Sequence, residues 1–173
     1  KFGTVANVLL LAGVAYGYFT QGPTSFRAHF ERDVQAGLSR PIEAPMLTEI
    51  DLALLPDPVK RYLRATGMVG QPLIRNYHVR MRGRIRSGPG ARWMPFEVDQ
   101  QSFADRPTRL FWMRAAMMGV PIDGLHRLAD GHPTMRIKPL GAFAIVDASG
   151  PEMDQGETVT LFNDMCILAP GTL

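Results

Sequence analysis

Tyr77-His-Val-Arg-Met-Arg-Gly-Arg-Ile-Arg86 decides the fold. Tyr77, Val79, Met81 and Ile85 alternate with His78, Arg80, Arg82, Arg84 and Arg86. That period of two belongs to a half-buried strand. Ser87-Gly-Pro-Gly90 follows as a turn. Trp93–Phe103 resumes the alternation, with Met94, Phe96 and Val98 on one face and Pro95 near the start, where a missing ladder donor is tolerated. Asp105-Arg-Pro107 is the next turn. Arg109–Met117 is apolar on both faces, which predicts a strand covered on both sides. Weaker strands follow at 122–128, 134–138 and 142–147, with glycine-containing turns between them. Short strands at this spacing predict an antiparallel meander.

Upstream, Asp57-Pro58 opens a helix and Gly67 closes it in the left-handed conformation. Val59, Tyr62, Leu63 and Thr66 form its apolar face. Thr48 and Asp51 resemble a capping box. Ser39–Pro45 reads as an extended linker because two prolines fix φ, and Ser25–Leu38 reads as a polar juxtamembrane helix.

Before Gln21-Gly-Pro-Thr24, residues 2–21 carry no charge. About 20 residues at 1.5 Å each cross a hydrocarbon layer of roughly 30 Å. Tyr16, Tyr18 and Phe19 sit near one end, at headgroup level, and Gly13-x-x-x-Gly17 offers a small-residue contact for another helix. A spanning helix is the leading expectation. A signal peptide with Gly13-Val14-Ala15 as its small-x-small site, and a buried core helix, are the alternatives. The side of the membrane on which the following residues lie is undetermined. The expected organisation is a transmembrane helix (1–22), a juxtamembrane segment and linker (23–46) and an α+β antiparallel-sheet domain (47–173).

Downstream, Ser149-Gly-Pro-Glu152 matches the Ser-x-x-Glu capping box of a last helix. Val159, Phe162 and Cys166 form its predicted apolar stripe, with Leu161, Met165 and Leu168 beside it.

Composition narrows the classes. Hydrophobic residues are 46% and charged ones 20%, enough to build a core. One cysteine excludes an internal disulfide framework and a four-cysteine zinc site. A net charge of +3 is too small to argue for nucleic acid, and no reader motif is present. The charge is unevenly distributed. Nine basic residues and no acid lie between Lys60 and Arg92, and five acids and no base follow Lys138.

Lys1-Phe-Gly-Thr-Val-Ala-Asn7, Leu55-Pro-Asp-Pro-Val-Lys-Arg-Tyr-Leu-Arg64, Gly70-Gln-Pro-Leu-Ile-Arg75, Trp93-Met-Pro-Phe96 and Asp147-Ala-Ser-Gly-Pro-Glu152 together resemble an uncharacterised bacterial family of unknown function. The resemblance implies that the domain continues past Leu173 and that longer members carry further spans before this one; the expected location is a bacterial inner membrane. It also implies a fold similar to the LolA-type lipoprotein carriers: a curved antiparallel half-barrel with helices over an apolar cavity. It supplies no catalytic residue.

The expected function is a membrane-anchored binding module for a lipid-like or other apolar ligand. Trp112, Met113, Met117, Phe96 and Met94 are the ligand-binding candidates, since flexible thioethers suit variable apolar ligands. Arg80, Arg82, Arg84 and Arg86 are the candidates for anionic headgroups, being arginines spaced along one strand face. The competing reading of that row is a solvated face paired with Glu97 and Asp99. An enzyme acting on a membrane-associated substrate through His126 and His132, or a scaffold using the basic surface, are the alternatives. No cofactor, metal or nucleic-acid partner is expected. Cys166 reads as an inert thiol and Ser149 as a cap rather than a nucleophile.

Overall fold

A computed structural model describes residues 2–172. Six antiparallel strands form one curved, unclosed sheet in sequence order: β1 (Asn76–Ile85), β2 (Met94–Phe103), β3 (Thr108–Met117), β4 (Val120–Ala129), β5 (His132–Pro139) and β6 (Val146–Ala148). The expected meander is present. The last strand is shorter than its hydropathy suggests, because 140–145 forms the turn before it.

Four α-helices complete the fold: α1 (Phe2–Gln21), α2 (Phe26–Leu38), α3 (Asp57–Ala65) and α4 (Pro151–Leu168). Ser25 caps α2, its hydroxyl accepting from the Ala28 N–H at 3.1 Å. Asp57 is the first helical residue of α3, with Pro56 at the cap position, and Gly67 takes φ +73° beyond its end.

The register sorts the sheet into two faces. Arg80↔Asp99, Asp99↔Trp112 and Trp112↔Leu125 lie on one; Gln100↔Phe111 and Phe111↔His126 lie on the other. The first face is covered by α2. Phe26 and Phe30 enter one core cluster with Phe103, Leu110, Trp112 and Leu125. Ion pairs pin α2 along its length: Arg27 to Asp99 at 3.2 Å, Asp33 to Arg127 at 2.8 Å, and Arg40, just past its end, to Asp105 at 3.4 Å. Gly37 lies so close to the Phe103 ring that a Cβ there would collide with it. The segment read as polar juxtamembrane sequence is therefore the helix that seals one face of the core. Its two phenylalanines, four apart, were hidden among charges that pair with the sheet.

The second face receives α4 through a buried polar network rather than through the predicted Val159–Phe162–Cys166 stripe. Glu157 and Leu161 are the buried residues of α4, while Val159 and Phe162 are more than half exposed. The reason is the sheet surface beneath: Gln100, Ser102 and Arg109 are buried there and need polar partners. The capping box at Ser149 does not form. Gly150 holds the cap position at φ +111°, a conformation that a side chain disfavours. A second apolar cluster, Leu47, Leu52 and Leu63 with Tyr62, Met68 and Leu73 against it, seats α3. The Tyr62 hydroxyl donates to the Cys166 carbonyl and so joins α3 to α4.

Candidate functional site

Between α2 and strands β1–β3 lie three adjoining hollows that share lining residues, of about 620, 610 and 440 Å³. Together they make a trough on the α2 side of the sheet. One end is walled by Phe30, Val34 and Leu38. The middle holds Arg27, Arg80, Arg82, Glu97, Asp99 and Trp112. The other end reaches Tyr16 of α1, with Pro95, Phe96, Ala116 and Pro121.

Strand register creates the polar middle. Arg80 stands opposite Asp99 and Arg82 opposite Glu97, so each arginine meets an acid across the ladder, at 3.8 and 3.4 Å. Asp99 is buried and collects three partners: Arg27 from α2, and Arg80 and His78 from β1. A buried carboxylate is retained only when paired in this way. Trp112 forms the floor. The Arg27 and Arg114 guanidiniums lie over its ring at 4.8 and 5.1 Å from the centroid. Arg114 is itself held by Asp123 at 2.9 Å, and the hydrogen bond it donates to that carboxylate raises its pKa. The Trp112 Nε1–H is buried and has no hydrogen-bond partner among the described residues. Such a buried donor is ordinarily paired.

The five apolar candidates do not converge. Trp112 faces α2 and the trough. Met113 and Met94 occupy register positions on the α4 side, and Met117 lies at the β3–β4 hairpin. By register Phe96 lies with Met94 and Met113 on the α4 side, its ring against Gly83, at the margin of the hollow that Tyr16 enters. The arginine row divides as well. Arg80 and Arg82 are in the trough, each with an acid, whereas Arg84 and Arg86 place their guanidiniums 6.0 and 4.6 Å from the Trp93 ring centroid.

His126 lies on the opposite face from Asp123, so the ligand-rich stretch 123–132 is split by the alternation of the strand. Among the described residues no group of three or more His, Cys, Asp or Glu could hold a metal. His126 instead bonds Glu157 at 3.1 Å; Glu157 pairs with Arg109, and Arg109 with Asp164 and Gln100. The hydrogen bond from His126 holds the Glu157 carboxyl below its ordinary value, against the opposing effect of burial and with help from Arg109. Beside this network burial pushes the Tyr77 phenol up. His126, Glu157, Arg109, Asp164 and Gln100 satisfy one another and dock α4, whereas the buried Tyr77 hydroxyl has no hydrogen-bond partner among the described residues.

Sequence reasoning paired Glu97 and Asp99 with the arginine row but missed Arg27 as a trough residue. The α2 contribution had no local signature.

The model for the Family of unknown function (DUF6544) matches residues 45–173. This chain belongs to DUF6544. Its helices α1 and α2 precede the matched residues, so the DUF6544 part supplies the trough's floor and the preceding helices its walls. No curated protein and no solved structure matches. Helix α1 is long and apolar enough to cross a membrane, a test that a signal sequence near the N-terminus also passes. Leu9, Leu10 and Leu11 are 68–70% exposed.

Proposed function

We propose that this chain is a membrane-anchored binding module that holds an amphipathic, lipid-like molecule in the trough between α2 and β1–β3. The observation that carries this reading is the trough itself, in which an arginine–carboxylate middle over the Trp112 ring adjoins an apolar wall. The arginine–carboxylate middle suits a polar head, and the Phe30–Val34–Leu38 wall suits an apolar tail. Support for anchoring comes from α1, an exposed apolar helix whose C-terminal Tyr16 borders the trough. The trough would then open beside the bilayer, where such a ligand dissolves.

Native mass spectrometry of the full chain released from micelles tests the reading. Wild type should carry one lipid-mass adduct per chain. Val34→Phe, which fills the apolar end, should lose it while remaining folded. Equal adducts on both, or on neither, would reject the trough as the site.

A further inference from the structure

The two ends of the sheet differ in chemistry. Three hairpin connections lie at one end: 86–93, Met118-Gly119 and 140–145. Around them, residues 84–96, 115–122 and 138–146 contain no acid, and their cations are Arg84, Arg86, Arg92 and Lys138. Met118, Phe143 and Trp93 are 84%, 65% and 53% exposed there, with Leu140 and Ile145 beside them. The opposite end carries Asp105 beside Arg106 in one turn and Asp130 in the other, with no large apolar side chain at either tip.

Turn chemistry sharpens the contrast. Three hairpins use the same left-handed pair: Met118-Gly119 (φ +51° and +84°), Asp130-Gly131 (+55° and +75°) and Leu140-Gly141 (+53° and +68°). The first position of such a pair favours Asn, Asp or Gly. Asp130 follows the rule at the opposite end. Met118 and Leu140 break it at the other, where each presents a large apolar side chain in a conformation that disfavours it.

Helix α1 meets the sheet at this apolar, cationic end. The Phe19 carbonyl oxygen and the Thr20 side chain lie 2.6 and 3.1 Å from where a Cβ on Gly141 would stand. Tyr16 shares a hollow with Pro95 and Pro121 of the same end. Exposed Trp with Arg stacked on it and apolar side chains at turn tips suit the headgroup layer, where amphipathic rings settle and basic groups meet anionic lipid.

We infer that this rim of hairpin tips docks onto an anionic lipid surface, with Trp93, Met118, Leu140 and Phe143 in the headgroup layer and Arg84 and Arg86 on lipid phosphates. It rests on the anchoring part of the function proposed above, because α1 is what brings this end to a bilayer. The docked rim gives the domain a second contact with the membrane and fixes its orientation there.

The test uses the full chain reconstituted in vesicles of phosphatidylcholine and phosphatidylglycerol, three to one. Trp112→Phe leaves Trp93 as the single tryptophan, and lipids brominated high on the acyl chain report its depth. An independent reporter is Phe143→Cys in a Cys166→Ala background, labelled with a polarity-sensitive dye. Carbonate extraction reads α1 separately. The expected result is at least twofold quenching of Trp93, a blue shift of the dye at 143, and weakening of both by Arg84→Glu with Arg86→Glu, with the chain resisting carbonate throughout. A carbonate-resistant chain with neither quenching nor shift overturns the rim while leaving the anchor standing. Quenching in a chain that carbonate strips keeps the rim and removes the span. Neither signal in a stripped chain removes both.

Discussion

Glu157 shows how one side chain ties α4 to the sheet. It is 7% exposed, accepts from His126 and Arg109, and has its pKa lowered from 4.5 by those contacts. A carboxyl whose folded pKa is depressed contributes stability that is complete above its unfolded value. That contribution drains away as pH falls through the lower folded value. Glu157→Gln should therefore cost roughly 1–3 kcal/mol at neutral pH, since Arg109 keeps Asp164 but loses one charged partner. The variant should also lose stability less steeply than wild type below pH 4.5. Denaturant midpoints measured from pH 7 to pH 3 decide this; parallel curves for the two proteins would refute the assignment. The sequence shows the acid but not its partner. His126 and Glu157 are 31 residues apart, and no local pattern reports a contact at that separation.

At the scale of elements, the strands were legible and the helix faces only in part. Alternation from Tyr77 onward works because Tyr77, Val79 and Met81 are half-buried while the arginines opposite them line an open, solvated trough. On β2 the same alternation fades after Val98, where the residues are buried on both faces by α2 and α4. Helix α4 carries apolar residues all round, so hydropathy cannot choose its face. The choice falls to Glu157, Leu161 and Asp164, which match Arg109 and Gln100 below. Leu161→Ala should cost about 2–5 kcal/mol as a buried truncation. Phe162→Ser, on the exposed side, should stay within about 0.5 kcal/mol. Thermal or urea unfolding of the two variants distinguishes this face from the apolar stripe, which predicts the reverse order.

For the whole molecule, the decisive fact is that α2, outside the residues matched to DUF6544, completes the core. A chain of residues 45–173 alone would expose Leu110, Trp112 and Leu125 together. It would also leave the Asp99 carboxylate without Arg27 and Arg127 without Asp33. Such a chain should bind a hydrophobic dye and unfold with a broadened transition, whereas one that begins at residue 23 should not. A sharp transition without dye binding for the shorter chain would show that α2 is dispensable. The same scale holds the difference between the two ends of the sheet. Alternate hairpins return to the same rim, so residues far apart along the chain share one end of the sheet.

The sequence by itself determined what is periodic or compositional. The meander, the breaks around α2 and α3, the apolar α1 and the cross-strand pairing of Arg80 and Arg82 with acids follow from side-chain alternation and turn chemistry, which are local. Only the tertiary structure decided which helix covers which face, and that Trp112 floors a trough while Met113 turns away. It alone gathered Trp93, Met118 and Phe143 on one rim with α1. Those outcomes depend on contacts between residues tens of positions apart, where burial and charge pairing across the fold outweigh the preference of any single segment.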